Sequence, residues 1–230
     1  MKVRFFTVPN LLTLANLACG CLAVVYALRF DDLQIAFWLI VGAAAFDFFD
    51  GFAARLLKQY SALGRELDSL ADMVSFGVAP SAVLFSMYQF AGGIGAWGFF
   101  VFFVALFSAL RLAKFNIDET QAEEFDGLPT PANAIFIMSA GHFYAAGLYT
   151  LQPWMILAAA AVCACLLIAP VRMFALKFKG FGWPGNEIRY GFLLASLAGL
   201  IAVGARALPF IVPAYVLISV VRNISGKNRS

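Results

Sequence analysis

Eight apolar runs, at about 8–28, 33–57, 67–90, 94–115, 131–150, 154–176, 187–204 and 207–223, occupy most of this 230-residue chain. A helix needs about 20 such residues to cross the roughly 30 Å hydrocarbon core of a bilayer. Within hydrocarbon every backbone group must be satisfied internally, and continuous runs of this length, without alternation, do so as helices. The expected fold is an all-α polytopic membrane protein, a bundle of about eight transmembrane helices in one domain over 1–230. Composition excludes a large soluble core, since 63% of the residues are hydrophobic and 13% charged. The run at 8–28 is followed by no small-residue cleavage site, so it is expected to be the first crossing rather than a removed leader.

Breaks between runs fall at Asp31 and Asp32, Gly92 and Gly93, the loop from Asn116 to Pro131, Gln152 with Pro153, and Gly180 to Gly185. Only Gly204 to Ala207 separates the last two runs, which requires a tight hairpin. On this map Lys2, Arg4, Arg55, Lys58, Arg65, Arg111, Lys114, Arg172, Lys177, Lys179, Arg189, Arg222, Lys227 and Arg229 fall on one side. Of the 16 basic residues only Arg29 and Arg206 fall on the other. Basic residues concentrate on the cytoplasmic side of membrane proteins, so both termini are expected there. The expected location is the inner (cytoplasmic) membrane, with the basic surface meeting anionic lipid head groups.

Cys19, Cys21, Cys163 and Cys165 form two C-x-C pairs inside apolar runs, without zinc-site spacing, and read as packing residues. Asp118, Glu119, Glu123, Glu124 and Asp126 make an acidic cluster that reads as a solvated loop. His142, the single histidine, is expected to make a hydrogen bond between helices.

Four aspartates interrupt the second and third runs in the pattern D-x2-D-G-x2-A-R-x8-G-x3-D-x3-D: Asp47, Asp50, Gly51, Ala54, Arg55, Gly64, Asp68 and Asp72. A single aspartate at mid-bilayer costs about 2.5 to 3.5 kcal/mol on insertion scales, so four of them need a compensating partner. Asp47 and Asp50 share one helix face, and so do Asp68 and Asp72, which lets two facing helices aim four carboxylates at one point. Oxygen-only ligands select hard cations, here Mg2+ or Mn2+, and two such ions suit phosphoryl displacement. Gly51, Ala54 and Gly64 leave helix surfaces bare for close approach, and Arg55 can pair with a phosphate oxygen. A carboxylate-based ion transporter is the competing class, but few polar groups beyond His142 and Gln152 stand on the far half of the bundle.

The pattern from Asp47 to Asp72 resembles, without departure, the signature of the CDP-alcohol phosphotransferase family. That resemblance implies a CDP-linked lipid donor, an alcohol acceptor, two divalent ions and release of CMP. It implies that Asp47, Asp50 and Asp68 hold metal, and that Asp72 both touches metal and acts as the base. It also implies CDP-lipid contacts at Gly51, Ala54, Arg55 and Gly64. Within the family, the chain resembles the membrane-embedded bacterial branch that uses L-serine, through Val8-Pro9-Asn10-Leu11-Leu12-Thr13, Leu67 to Pro80, Arg111 to Asn116 and Gly127 to Ala132.

The donor implied is CDP-diacylglycerol, with glycerol-3-phosphate, inositol phosphate or choline as alternative acceptors. Asn10 and Thr13 either cap helix 1 or contact the donor. Arg111 and Asn116 either bind the acceptor or, for Arg111, anchor a helix end. Ser69 and Ser75 are expected to bond their own backbone. Arg65 is larger than the resemblance leads one to expect beside Gly64. Partners expected are the two substrates, membrane lipids and a second copy as a homodimer, with no nucleic acid.

Overall fold

The computed structural model of the chain describes residues 5–117, 124–174, 182 and 186–227. Lys2, Arg4, Asp118, Glu119, Glu123, Lys177, Lys179 and Arg229 lie outside the described residues. Helix α1 (Val8–Arg29) begins after Thr7, whose side chain accepts from Asn10 N, and turns at Asp31 into α2 (Leu33–Leu56). Helix α3 (Ala62–Asp72) widens into a π-helical segment (Met73–Val78) and continues as α4 (Ala79–Phe90). A 3-10 stretch (Ala96–Phe102) leads into α5 (Phe103–Ile117), followed by strand β1 (Glu124–Asp126). Then come α6 (Thr130–Ala145), α7 (Pro153–Ile168), strand β2 (Arg172–Phe174), α8 (Glu187–Val203) and α9 (Leu208–Lys227).

Among the described residues, five helical stretches are long and apolar enough to cross a membrane: Val8–Arg29, Leu33–Leu56, Ala62–Phe90, Ala96–Ile117 and Glu187–Ile224. Pro153–Ile168 is apolar but shorter. The last stretch reverses on itself at Gly204, which takes φ 63°, a left-handed value that a glycine adopts without penalty. Phe192 of α8 and Tyr215 of α9, on either side of that turn, bring their rings to 5.7 Å, so the expected hairpin is present. The chain is a multi-pass membrane protein.

Several helix ends differ from the apolar runs, each for a local reason. The third helix starts at Ala62 because the Ser61 side chain accepts from Gly64 N at 2.9 Å and caps it. Helix α6 stops at Ala145, two residues before Gly147 at φ 70°. Helix α7 stops at Ile168 rather than near 176, since Ala169 precedes Pro170 and takes the extended ψ of 138° that proline imposes on its predecessor.

The fold is also not purely helical. Strands β1 and β2 pair antiparallel, Phe125 opposite Met173 and Asp126 opposite Arg172, across what the sequence presents as a loop and a helix end. The π-segment has its own cause: the Pro80 ring has no N–H to offer the Phe76 carbonyl four residues back and would collide with it, and widening the turn relieves both.

The main core joins α1, α2, the π-segment, α4, α6 and α7 through residues such as Phe37, Ile40, Phe76, Met87, Ile137 and Leu167. Small residues let the helices approach: Ala23, Ala27, Ala36, Ala43, Ala79 and Ala82 are fully buried. Large apolar side chains such as Phe48, Trp97, Leu106, Trp154, Ile201 and Phe210 face outward, as lipid-facing surfaces do. His142 packs its ring on Phe37 of α2 at 4.7 Å, while its Nδ1 is buried without a hydrogen-bond partner; an aromatic contact replaces the expected hydrogen bond. All four cysteines are free.

Candidate active site

Helix α1 is the element that organises the four aspartates. It packs antiparallel against α2, and α3 with the π-segment runs alongside it, so one face of α1 meets both acidic helices. Thr13 and Asn16 are one turn apart on that face, 3% and 0% exposed. Thr13 Oγ1 lies 2.5 Å from Asp50 Oδ2 and donates to it. Asn16 Nδ2 donates to Asp72 Oδ1 at 3.2 Å.

Carboxylate oxygens of Asp47, Asp50 and Asp68 all lie within 4.8 Å of one another. At that separation two ionised carboxylates repel by about 3 kcal/mol at an effective dielectric of 20. Among the described residues no lysine or arginine forms an ion pair with any of the four aspartates; the pair present, Arg65 with Glu66 at 3.8 Å, is exposed. Asp68 Oδ1 is buried and has no hydrogen-bond partner. Three converging carboxylates, one with an orphaned oxygen and none offset by a cationic side chain, fit a hard divalent cation. Asp72 stands outside this triad.

A cavity of about 480 Å³ opens beside the triad, lined by Arg65, Asp68, Ser69, Asp72, Arg111, Leu112, Phe115, Asn116, Pro129 and Pro131. Asp68 thus belongs both to the acidic cluster and to the cavity wall, with Asp72 next to it. Arg111, 8% exposed, donates from Nη1 to Thr130 Oγ1 at 3.3 Å and leaves Nε buried without a partner. One turn along α6 from Thr130, Asn133 is fully buried with neither side-chain polar atom bonded, and one turn back from Arg111 the Ser108 hydroxyl is likewise unpaired. Unsatisfied buried polar groups cost about 1 to 3 kcal/mol each; of these three residues Arg111 lines the cavity. Arg111 is buried within α5, about two turns before its end.

Asn116 lies in the last turn of α5 rather than in a loop; its Nδ2 donates to Ser69 Oγ at 2.9 Å, tying α5 to α3 at the cavity edge. Ser69 also reaches back to Arg65 O at 3.3 Å, as expected of a helical serine, whereas Ser75 crosses to α1 and donates to Asn16 O at 3.0 Å. Asn10 is not a helix cap, since Thr7 fills that place; its Nδ2 donates to Phe5 O at 2.9 Å. A side chain on Gly64 would come within 3.2 Å of Asn10 Oδ1 and 3.1 Å of Ser61 Oγ, so glycine there serves the α1–α3 contact. A Cβ on Gly51 would meet nothing within 4 Å, which leaves open space beside Asp50. Ala54 is half-buried, and Arg55 is exposed with Nε donating to Gly51 O at 3.0 Å.

Asn16 is the site residue that the sequence pattern did not bring out. Its signal is the three-residue spacing Asn10, Thr13, Asn16 followed by Gly20, a polar stripe along one face of an apolar helix.

Residues 6–168 match the sequence profile of the CDP-alcohol phosphatidyltransferase family. The chain belongs to that family. Among its relatives is a CDP-diacylglycerol--serine O-phosphatidyltransferase of Bacillus subtilis, 39% identical over 128 residues, which are 54% of this chain and 69% of the relative. A Helicobacter pylori protein of the same name is 37% identical over 132 residues, 56% of this chain and 55% of the relative. One from Saccharomyces cerevisiae is 34% identical over 162 residues, 64% of this chain and 57% of the relative. The match thus spans little more than half the length of the last two. The matched region of the family profile includes the triad, Asp72, Arg111 and the α6 start, and ends with α7.

Proposed function

We propose that this chain transfers the phosphatidyl group of CDP-diacylglycerol to L-serine, forming phosphatidylserine and CMP. The observation that carries the reading is Asp68, shared between a triad of carboxylates suited to a divalent cation and a cavity that also holds Asp72 and Arg111. Family membership supplies the donor chemistry, and the names of the three relatives supply serine.

In this reading Asp47, Asp50 and Asp68 would hold divalent ions, Mg2+ or Mn2+, and Asp72 would contribute a further ligand. Such ions would supply charge neutralisation on the pyrophosphate and on the departing CMP. Gly51, Ala54, Arg55 and Gly64, with Asn10, flank the donor. Arg111 pairs with the serine carboxylate inside the cavity, and Asn116 with Ser69 closes its edge. Asp72 accepts the hydroxyl proton of serine as that oxygen bonds to the phosphatidyl phosphorus and the bond from phosphorus to the CMP oxygen breaks. A proton leaves to Asp72 and the electron pair leaves with CMP, so no oxidant or further reactant is needed.

The chain is further proposed to cross the inner membrane eight times as a single domain, with both termini and the site on the cytoplasmic side. Support comes from the distribution of Arg55, Lys58, Arg65, Arg111 and Lys114 around the site and from the α8–α9 hairpin.

Purified protein in anionic vesicles, supplied with CDP-diacylglycerol and Mg2+ or Mn2+, is expected to release CMP and to label lipid with radioactive serine. Labelling with glycerol-3-phosphate, inositol phosphate or choline in place of serine would move the acceptor assignment while leaving the family chemistry intact.

A further inference from the structure

Asn16 sits at the centre of a short chain of contacts that ends on Asp72. Its Nδ2 donates to Asp72 Oδ1 at 3.2 Å, and its backbone oxygen accepts from Ser75 Oγ at 3.0 Å. Both Asn16 and Ser75 are 0% exposed. Ser75 lies in the π-segment that follows Asp72 directly, so the bond to Asn16 ties the two sides of the same turn to α1. Gly20, one turn along α1, makes the approach close: a Cβ there would lie 2.8 Å from Ser75 Cα. The amide orientation follows from the partner, because the opposite placement would set an amide oxygen against a carboxylate oxygen.

A carboxylate turns easily about its last torsion, which is broad and roughly two-fold. A base acts only when one particular oxygen is within hydrogen-bond reach of the proton it takes. Holding Oδ1 from α1 leaves the other oxygen of Asp72 as the one available to the cavity that Asp72 lines. We propose that Asn16, itself held by Ser75, is the positioning residue of Asp72 and sets which carboxylate oxygen meets the acceptor hydroxyl. The proposal rests on the reading of Asp72 as base.

The same helix pair contains an internal comparison. Ser86 Oγ donates to Ala27 O at 2.6 Å, again joining residues 59 apart in sequence. That tie lies about three turns further along both helices and has the same chemistry. Its partner is an alanine, so it joins helices without touching a carboxylate. If the Ser75 tie only joined helices, losing either serine would have the same kind of effect.

The test compares Asn16→Ala, Ser75→Ala and Ser86→Ala in the full chain, in vesicles containing CDP-diacylglycerol, with kcat and the KM of each substrate measured separately. Misplacing a reacting group costs up to about 100-fold, so Asn16→Ala is expected to lower kcat roughly 10- to 100-fold while both KM values stay within about twofold. Ser75→Ala is expected to lower kcat several-fold with the same split, and it carries the test if Asn16→Ala does not fold. Ser86→Ala is expected to melt at a lower temperature with wild-type kcat. Wild-type kcat in Asn16→Ala, equal kcat effects from the two serines, or a raised serine KM in place of a lowered kcat each overturns the positioning role. A wild-type protein that releases no CMP with serine is a different result, and overturns the functional reading itself.

Discussion

Thr13 of α1 donates its single hydroxyl hydrogen to Asp50 Oδ2 of α2 at 2.5 Å, with Pro9 O of its own helix at 3.1 Å as the weaker, competing acceptor. The contact fixes one member of the acidic triad from a helix that carries no acid of its own. A hydrogen bond to a charged group contributes about 1.5 to 3 kcal/mol, or roughly 10- to 100-fold in an equilibrium constant. Thr13→Val is expected to raise the Mg2+ concentration for half-maximal activity by about that factor, and Thr13→Ser to restore it. Titration of CMP release against Mg2+ measures this; an unchanged midpoint would remove Thr13 from the site's support.

Asp68 and Asp72 are expected to fail differently. General-base catalysis typically contributes about 100- to 10,000-fold, so Asp72→Asn should lose at least 100-fold in turnover while still binding CDP-diacylglycerol. Asp68→Asn removes a ligand from the triad and should abolish activity at any practical Mg2+ concentration. Chelation of the wild type should also stop turnover, with Mg2+ or Mn2+ restoring it. Near-normal turnover of Asp72→Asn would take the base role from it.

Arg111 lines the cavity and leaves its buried Nε unpaired, while its Nη1 is steadied by Thr130. Arg111→Lys keeps the charge but loses the planar fork that pairs with a carboxylate at two points. The serine KM is expected to rise about 10-fold or more, the CDP-diacylglycerol KM staying near its wild-type value. Thr130→Val should show the same direction with a smaller effect. Steady-state kinetics in each substrate separately distinguish this from a general loss of folding.

Two glycines, Gly20 of α1 and Gly51 of the signature, should separate stability from binding. Gly20→Ala places a methyl 2.8 Å from the Ser75 backbone, an overpacking that typically costs about 1 to 3 kcal/mol, and the melting temperature should fall. Gly51 has open space around it, so Gly51→Leu should melt like the wild type but bind CDP-diacylglycerol more weakly. A Gly51→Leu variant with normal donor KM would show that this space is not the donor's.

Much of the site was legible because its chemistry is carried by local spacing. Asp47 with Asp50 and Asp68 with Asp72 each repeat at one helical turn, and the segment between them is short enough to force two adjacent helices. Thr13 and Asn16 were less legible, since their partners lie 37 and 56 residues away. Their roles depend on α1 lying between two other helices, which no local pattern states. The pairing of β1 with β2 was hidden for the same reason, and the end of α7 was overrun because the apolar run continues past the proline that stops the helix.

The sequence by itself determined a polytopic helical protein with an acidic signature, because hydrocarbon-length apolar runs allow helices and little else, and acids within them must serve a cation or a substrate. The tertiary structure decided how the four acids divide. Packing α1 against α2 and α3 brings Asp47, Asp50 and Asp68 into one cluster, with Asp72 beside it, held by Asn16 at the wall of the cavity. Spacing along a helix places side chains on a face, but the distance between faces is set by the small residues and buried hydrogen bonds where the helices meet.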